Sequence, residues 1–395
     1  MLTAVTGINW GDEGKGRVID LLAEHADIVV RYQGGNNAGH TVVNKQGKFV
    51  LNLLPSGILH PDVVCVLGDG MVIDLNHLSN EIAQIRTQDV SVSPKNLKLS
   101  TRATISMPWH KIQDELEEER LSKSGAAFGS TKRGIAYAYS DKYRKKTIRL
   151  GDLLHLDEEN VQVRLKTMLE AKTLSLQAAI IRSLCLCQLF CHGAGRRLQN
   201  MHLYITDTGA FLEDALSKGK RVVLEAQLGA MRDIDYGIFP YTSSSSTISA
   251  YGPIGAGIPG ASLDHVVGVL KAYSTCVGAG PFVAEKAMNG EWTEMVRKYG
   301  GEYGAATGRP RRVGPFDAVA SRYGLKCQHA DKIALTKLDV LSIMDQIPVI
   351  TGYQYKNAVT NVFDPTENLE NIPGTSNAAG WKPIYQIAGH MMSCQ

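Results

Sequence analysis

The first forty residues constrain the fold of this chain more than any other stretch. Residues 2–8 form a short, mostly apolar run of strand-favouring residues, and residues 18–22 carry apolar side chains at helical spacing. Between them lies the turn GDEGKGR, residues 11–17. A strand, a glycine-rich turn and a helix in this order can bind phosphate, because glycines let the backbone approach the anion and the helix N-terminus adds positive potential. Lys15 adds a full positive charge to the turn.

The turn also carries two acids, Asp12 and Glu13, which a pure phosphate cradle would avoid. It is not a Walker A motif, because GxxxxGK[ST] requires Ser or Thr where this chain has Gly16. Asp12 could hold Mg²⁺ or take a proton from a bound substrate. It could equally do no more than cap the following helix, a role that aspartate fills well. The turn by itself leaves these alternatives open.

A second glycine-rich loop follows one strand–helix–strand unit later. Residues 27–32 (DIVVRY) predict a strand, and residues 33–41 (QGGNNAGHT) add amide and imidazole groups after it. WGDEGKG followed by RYQGGNNAGHT resembles the adenylosuccinate synthetase family. The resemblance is specific, because two unusual loops occur in the same order and at the same separation.

Composition excludes several other classes of protein. A chain of 395 residues can bury a large core, and a net charge of +3 argues against nucleic-acid binding but suits small anionic substrates. No segment carries the roughly 18 consecutive apolar residues of a membrane span, so we expect no membrane association. The seven cysteines are odd in number and form no CxxC pair, which suits a reducing cytoplasm.

Four later loops are candidates for ligand binding. Residues 129–135 (GSTKRGI) suit a phosphate or a solvated turn, and residues 241–247 (YTSSSST) could donate hydrogen bonds to a ligand or form a flexible loop. Residues 304–312 concentrate three arginines, which could bind carboxylates bidentately or form an exposed basic turn. Residues 336–339 (TKLD) match the [NT]KxD pattern that reads guanine, although the lysine and aspartate could simply pair at the surface.

Residues 174–200 depart from the family. Three cysteines and His192 crowd together there, but their spacing fits no usual zinc site and the surroundings are apolar. The pattern therefore favours a buried apolar helix over a structural metal site.

The resemblance implies an α/β fold and a particular reaction. It predicts one large domain over residues 1–395, with a central, mostly parallel β-sheet flanked by helices, a P-loop-like phosphate loop, and assembly as a homodimer. The family condenses IMP with L-aspartate, using GTP and Mg²⁺, and releases GDP and phosphate in the first committed step from IMP to AMP. The purine O6 is first phosphorylated, and the aspartate amine then displaces phosphate from C6.

The resemblance also implies roles for individual residues. Asp12 would remove the N1 proton of the purine, His40 would hydrogen-bond the transferring phosphoryl group as an acid, and Lys15 would neutralise its charge. Mg²⁺ would bind Asp12 and the carbonyl of Gly39. The residues implied to bind IMP are Asn37, Ser130, Thr131, Gln227, Ser243 and, from the partner subunit, Lys145. Those implied to bind aspartate are Thr307, Arg309 and Arg311. Those implied to bind GTP are Gly11, Glu13, Gly14, Lys15, Gly16, Arg17, Gly39, His40, Thr41, Lys337 and Asp339.

Several positions differ from the family pattern. Arg17 stands where lysine is usual, Lys132 replaces a glycine, and Lys145 falls where the family has arginine. Gln227 differs by one residue of register from the glutamine of the family's EGAQG. Family members also carry a late S/T-G-P segment that closes over guanine, and this chain lacks it. We therefore expect selectivity for GTP over ATP to be the property most affected.

Three other functions compete with this one. A relative could ligate aspartate to another 6-oxopurine nucleotide such as dGMP, because few residues read purine C2. A non-catalytic homologue that only binds nucleotides is a second alternative. The residues that argue against it are Asp12, Lys15, His40, Arg309 and Arg311, which this chain retains. A GTPase switch is least favoured, because Gly16 lacks the hydroxyl that binds Mg²⁺ in that class.

Overall fold

The structure, a computed structural model, describes residues 1–44, 47–125, 127, 129–175, 201–304, 308, 310–355, 358–365 and 382–388. The strands of these residues are, in chain order, β1 (Leu2–Gly7), β2 (Ile28–Arg31), β3 (His40–Asn44), β4 (Gly47–Leu51), β5 (Val64–Leu67), β6 (Val72–Ile73), β7 (Leu97–Ser100), β8 (Thr104–Ile105), β9 (Ile205–Thr206), β10 (Val222–Glu225), β11 (His265–Lys271), β12 (Ser274–Cys276), β13 (Arg312–Gly314), β14 (Phe316–Asp317), β15 (Lys332–Thr336), β16 (Ile347–Tyr355), β17 (Ala358–Thr360) and β18 (Lys382–Ala388).

The α-helices of the same residues are α1 (Lys15–Ala23), α2 (Leu75–Arg86), α3 (Pro108–Lys123), α4 (Ile135–Tyr143), α5 (Glu159–Ser175), α6 (Thr208–Ser217), α7 (Gly252–Ala256), α8 (Gly290–Gly300) and α9 (Ala318–Gln328). Short 3₁₀ helices occupy Ser56–Leu59, Leu150–His155, Met201–Tyr204, Ala230–Arg232, Ser249–Tyr251, Val283–Lys286 and Leu338–Ile343. None of the helices described combines the length and apolar content needed to cross a bilayer.

An eight-stranded sheet with the order β15-β11-β1-β10-β2-β5-β7-β9 forms the centre of the molecule. Each of its seven pairings is parallel. Successive residues of a strand point to opposite faces, so Val29 packs into one large core and Val30 into another on the other side. This two-sided burial explains why the strands read as nearly continuous apolar runs. The predicted α/β fold with a mostly parallel sheet is confirmed.

Five neighbouring strands end at one edge of this sheet. Because the strands are parallel, the loops that follow β1, β10, β2, β11 and β15 all leave from their carboxyl ends. Ligands of open α/β sheets bind at this edge. The strand order therefore brings together loops that are more than 300 residues apart in the chain.

Two smaller sheets form in the later part of the chain. β12 and β13 pair antiparallel, and β16 pairs with β14, β17 and β18. A separate core beneath them joins the first loop to the later part of the chain, since the rings of Trp10 and Phe282 pack edge-to-face with centroids 4.9 Å apart. α5 ends at Ser175. Residues 176–200, where a buried apolar helix is predicted, lie outside the described residues. The expected single domain stays a prediction.

Asp317 supplies a pH-dependent contribution to stability. Its carboxylate caps α9 by accepting hydrogen bonds from the Val319 and Ala320 amides, and it also accepts one from the Tyr353 hydroxyl at 2.7 Å. Burial raises the pKa of Asp317 to about 6 from 3.8, although these hydrogen bonds oppose the rise. The folded protein therefore binds a proton there more tightly than the unfolded chain.

This difference predicts that the contribution of Asp317 to stability is greatest below pH 3.8 and is lost as the pH rises through about 6. The stability of wild type minus that of Asp317→Asn should fall across this window, measured by chemical denaturation at several pH values. Asp157→Asn, at an exposed aspartate, is the control. A difference that stays constant or grows with pH would contradict the assignment.

Candidate active site

The first loop connects β1 to α1 through left-handed backbone. Gly11 and Gly14 have φ angles of 97° and 95°, which glycine adopts without strain, and Asp12 has 59°. Gly14 is the N-cap residue of α1 and no side chain caps this helix. The interpretation of Asp12 as a helix cap is therefore wrong, because its carboxylate lies elsewhere.

Glu13 forms hydrogen bonds to other residues of the same loop. Its Oε1 accepts hydrogen bonds from the Asn9 and Gly11 amides at 3.2 and 2.8 Å, and its Oε2 lies 2.7 Å from Lys15 Nζ. Both side chains are buried, with exposed fractions of 2% for Glu13 and 3% for Lys15. Glu13 thus stabilises the loop and fixes the ammonium group of Lys15 beside it.

Gly16 allows β3 to lie against the start of α1. A Cβ added at Gly16 would lie 3.1 Å from the Cβ of His40 and 3.5 Å from Ser56 Oγ. A Walker A serine at this position would therefore press on the strand that carries His40. The close approach of the two elements gives a physical reason for glycine here.

We expect Gly16→Ser to reduce turnover by about 10- to 100-fold, because small displacements of a reacting group are costly. The added side chain should also lower the melting temperature through overpacking. Gly290→Ser is the matched control, since Gly290 is likewise helical and a Cβ added to it would have nothing within 4 Å. Wild-type rates in the Gly16→Ser protein would contradict the steric argument.

His40 is held by an acid from the centre of the sheet. Its Nδ1 lies 2.5 Å from Glu225 Oε1 at the end of β10, and Ser56 donates two further hydrogen bonds to Glu225. Burial raises the pKa of Glu225, but the hydrogen bond from His40, the charge of Arg31 and the hydrogen bond from the Ser56 amide outweigh burial and lower the pKa. Burial lowers the pKa of His40. A neutral imidazole must then donate from Nδ1, which leaves Nε2 with a lone pair.

Asp12 forms an ion pair with Arg311, which is distant from it in the sequence. Its Oδ2 lies 3.1 Å from Nε of Arg311, and Nη1 of Arg311 lies 2.7 Å from Glu302 Oε2. The Asp12 side chain is 35% exposed and that of Arg311 is 16% exposed. The structure thus brings together two residues that the sequence analysis assigned to different ligands. Arg311 is mostly buried and pairs with two acids, so the interpretation as an exposed basic turn does not hold at this residue.

The second loop is joined to the hydroxyl-rich loop by side-chain hydrogen bonds. Gln227 donates to the Gly35 carbonyl at 3.0 Å, and Gln33 donates to the Gln227 carbonyl at 2.9 Å. Ser245 donates to Gln33 at 2.8 Å, and its hydroxyl lies 3.2 Å from that of Ser243. These contacts favour an ordered loop over a flexible one for the segment that contains the serines.

Gln227 itself is buried, and its Oε1 has no hydrogen-bond partner in the described structure. The half-buried residue that follows is Leu228, whose φ is 59°. Asn37 is half-buried and accepts a hydrogen bond from the Gly35 amide at 3.2 Å. Gly39 and Thr41 are exposed on either side of His40.

The loop before α4 is held by two buried acids of α3. Glu118 accepts hydrogen bonds from the Gly129 and Ser130 amides, and Asp114 accepts them from the Ser130 hydroxyl and the Gly134 amide. Thr131 is exposed beside them. Lys145 is exposed just after α4, with a φ of 60°. The loop is an ordered turn whose amides donate hydrogen bonds to the two carboxylates of α3.

The end of β15 contacts the first loop directly. The Thr336 hydroxyl donates to the Glu13 carbonyl at 2.5 Å, and Lys337 Nζ donates to the Gly300 carbonyl at 2.9 Å. Asp339 is exposed two residues further on. In the part of the chain described, no ion pair joins Lys337 to Asp339, so the surface pairing considered from the sequence is not found.

Some predicted residues are not near the centre or cannot be placed. Arg17 is half exposed and pairs with Asp20 of its own helix at 2.7 Å. Thr307, Arg309 and the cysteine-rich residues 176–200 lie outside the described residues. Within the described ranges, no group of three or more His, Cys, Asp or Glu side chains could hold a metal by itself.

The buried charged residues that sequence reasoning missed include Glu225, Glu302 and Lys271. Glu225 and Lys271 are charged residues at the ends of apolar strands, and that contrast was the available signal. Glu302 lies in no strand, and the sequence around it contains no comparable signal.

The fold and the strand–turn–helix loop at this edge are typical of α/β enzymes that bind anionic ligands. A sequence model of the family described as adenylosuccinate synthetase matches residues 4–391. The chain belongs to the adenylosuccinate synthetase family. Its reaction is the GTP-dependent condensation of IMP with L-aspartate, which forms a C–N bond in AMP biosynthesis.

Individual relatives agree with the family match. Adenylosuccinate synthetase of Heliobacterium modesticaldum is 41% identical over 389 residues, which cover 98% of this chain and 87% of that protein. The same enzyme of Carboxydothermus hydrogenoformans is 44% identical over 378 residues, with coverage of 95% and 86%.

Solved structures extend the comparison to the fold. Fully ligated adenylosuccinate synthetase of Plasmodium falciparum superposes with a TM-score of 0.83 at 33% identity, covering 98% of this chain and 88% of that one. A cyanophage S-2L succinoaminodeoxyadenylate synthetase bound to dGMP and dATP has a TM-score of 0.56 at 21% identity, covering 85% and 83%. The second likeness shows a shared fold alone, and the dGMP alternative is not favoured.

Proposed function

We propose that this chain makes adenylosuccinate through a 6-phosphoryl-IMP intermediate at the carboxyl edge of its central sheet. The observation that carries the proposal is the 3.1 Å contact between Asp12 Oδ2 and Arg311 Nε. It joins the first loop, where the purine would react, to the loop that would bind aspartate. A nucleophile and the centre it attacks need this proximity.

Asp12 is the proposed base that removes the N1 proton of IMP. Its carboxylate is partly exposed and lies 3.1 Å from Nε of Arg311, at the edge of the sheet where the purine would bind. Removal of the proton makes O6 nucleophilic toward the γ-phosphate of GTP. Phosphate is a better leaving group than a carbonyl oxygen, so the amine of aspartate can then displace it from C6.

Lys15 and His40 are proposed to assist phosphoryl transfer. This chemistry depends on positioning and charge neutralisation, which a buried ammonium group and loop amides provide. Glu225 holds Nδ1 of His40 and directs Nε2 away from itself. An anionic phosphoryl group near Nε2 would favour protonation there and so make His40 a hydrogen-bond donor.

Mg²⁺ is proposed at Asp12 and the carbonyl of Gly39. Mg²⁺ prefers oxygen ligands and usually binds one or two carboxylates together with substrate phosphates. The partly exposed carboxylate of Asp12 and the exposed Gly39 fit this requirement. When bound, the ion would neutralise developing charge on the phosphates.

The remaining contacts follow the same division of the site. IMP would contact Asn37, Ser130, Thr131, Gln227 and Ser243, with Lys145 of the partner subunit on its phosphate in a homodimer. Aspartate would bind Thr307, Arg309 and Arg311, and guanine would be read by Lys337 and Asp339. GTP would further contact the first loop from Gly11 to Arg17 together with residues 39–41. We also propose the cytoplasm as the compartment, since Cys65, Cys276 and Cys327 are free thiols.

The test is an ultraviolet assay of purified protein with IMP, L-aspartate, GTP and Mg²⁺. Formation of adenylosuccinate supports the proposal, and turnover with dGMP but not IMP would contradict it. Substitution of ATP for GTP measures nucleotide selectivity, and omission of Mg²⁺ measures the metal requirement. Light scattering on the same sample gives the oligomeric state, with a monomer contradicting the role of Lys145.

A further inference from the structure

A line of buried charges lies behind Arg311. Glu302 is fully buried, and its Oε1 accepts hydrogen bonds from Lys271 Nζ at 3.0 Å and from the Tyr273 hydroxyl at 2.6 Å. Its Oε2 accepts one from Arg311 Nη1 at 2.7 Å. The charges alternate in sign from Lys271 through Glu302 and Arg311 to Asp12. The roles proposed above use only the last two members of this line.

Stability alone is a poor reason for such an arrangement. Removing two charges from water is costly, and an apolar pair of similar volume is often as stable. Burial raises the pKa of Glu302, but the charge of Lys271 and the hydrogen bonds from Tyr273 and Arg311 outweigh it and lower the pKa. Glu302 is thus kept as an anion at a buried position.

The effect of Glu302 on Arg311 is geometric. The carboxylate holds Nη1, and the Arg311 amide also donates to the Glu302 carbonyl at 2.9 Å. A guanidinium group is planar, so fixing one of its nitrogens and the backbone beneath it strongly restricts the orientation of the plane. The opposite edge, formed by Nε and Nη2, is then the edge left for another ligand.

The Nε–Nη2 edge of Arg311 has unused hydrogen-bond donors among the described residues. Nε is buried and makes no aligned hydrogen bond, although it lies 3.1 Å from Asp12 Oδ2. Nη2 has no hydrogen-bond partner among the described residues. Nε–H and Nη2–H point the same way and match the two oxygens of a carboxylate. The edge is therefore suited to a carboxylate that arrives with a ligand.

We propose that Glu302 and Lys271 are positioning residues for the amino-acid substrate. Glu302 turns the Nε–Nη2 edge of Arg311 toward a carboxylate of L-aspartate beside Asp12, and Lys271 balances the charge of Glu302. This inference rests on the proposed function, because it assumes that aspartate is the ligand of Arg311. Glu302 and Lys271 would act through Arg311 without touching the substrate.

The test compares Glu302→Gln with wild type in steady-state kinetics. Glutamine keeps the size of the side chain but loses the charge-assisted bond to Arg311, so the KM for L-aspartate should rise by about 10- to 100-fold. The KM values for IMP and GTP should stay within about threefold. Lys271→Met should act in the same direction. A purely structural role would not separate the three KM values.

Glu285→Gln is the matched control. Glu285 forms an ion pair with the neighbouring Arg312, is partly buried, and is not part of the line that ends at Asp12. This variant should leave the KM for aspartate unchanged. An equal rise in both variants, or a Glu302→Gln protein with a lower melting temperature and an unchanged aspartate KM, would overturn the inference.

Calorimetry separates this inference from the proposed function. If wild type makes no adenylosuccinate, the proposed function fails, and titration of L-aspartate into both proteins still measures positioning. Binding that is at least tenfold weaker in Glu302→Gln would support the inference. Equal affinities, or no binding by wild type, would overturn it.

Discussion

Asp12→Asn is expected to reduce turnover by about 10²- to 10⁴-fold, the usual loss when a general base is removed. Asparagine has nearly the same shape, so the first loop and its contacts through Glu13 should persist. It cannot accept the N1 proton of IMP, and it leaves Arg311 without its anionic neighbour. Initial rates from the ultraviolet assay measure the loss. Calorimetry without Mg²⁺, for which Asp12 is also a proposed ligand, should show GTP binding within a few-fold of wild type.

The control for this result is Asp62→Asn, which removes an exposed carboxylate just before the amino end of β5. Its rate and melting temperature should match those of wild type. If Asp12→Asn retained more than a tenth of the wild-type rate while folded, Asp12 could not be the base. If it no longer bound GTP at all, the loss of turnover would reflect binding and not proton transfer.

His40→Asn is expected to reduce turnover by about 10²-fold or more, because asparagine cannot provide a cationic donor to the phosphoryl group. Glu225→Gln should have a smaller effect of about tenfold, since the imidazole stays but loses the carboxylate that orients it. The two variants together separate the chemistry of the ring from its positioning. Equal losses in both would argue that Glu225 does more than orient His40.

The lowered pKa of His40 adds a pH dependence that is independent of activity. Below its ordinary pKa of 6.5 the unfolded chain binds a proton at this histidine more readily than the folded protein does. His40 therefore contributes stability above pH 6.5 that is lost as the pH falls. Denaturation midpoints at pH 7.5 and 5.5 should drop less for His40→Asn than for wild type. An equal drop would contradict the assignment.

Short sequence patterns, together with the family resemblance, were sufficient to predict the proposed reacting groups. Asp12, Lys15 and His40 lie in two glycine-rich loops, and each loop directly follows an apolar strand. Such loops meet at the carboxyl edge of a parallel sheet, so their residues could be predicted to share a site. The same reasoning could not decide between the roles of Asp12, because a helix cap and a base differ only in what surrounds the carboxylate.

The partners of these groups could not be predicted, because they are distant in the chain. Glu225 is 185 residues from His40, and Thr336 is 323 residues from Glu13. Glu302 lies in irregular structure, where neither helical nor strand periodicity marks a buried side. From sequence alone, an acid in such a segment is predicted to be exposed, because its burial depends on residues from distant parts of the same chain.

The sequence by itself determined the class of fold, the position of the two glycine-rich loops and the acids, lysine and histidine within them. These features depend on hydrophobic periodicity and on glycines at turns, which are properties of short segments. Only the tertiary structure decided that Asp12 meets Arg311, that Glu225 holds His40 and that Glu13 closes its own loop. The first two contacts depend on the order β15-β11-β1-β10-β2, and strand order is a long-range property that no short pattern contains. The third depends on where a buried carboxylate finds its hydrogen-bond donors, which the folded backbone alone sets.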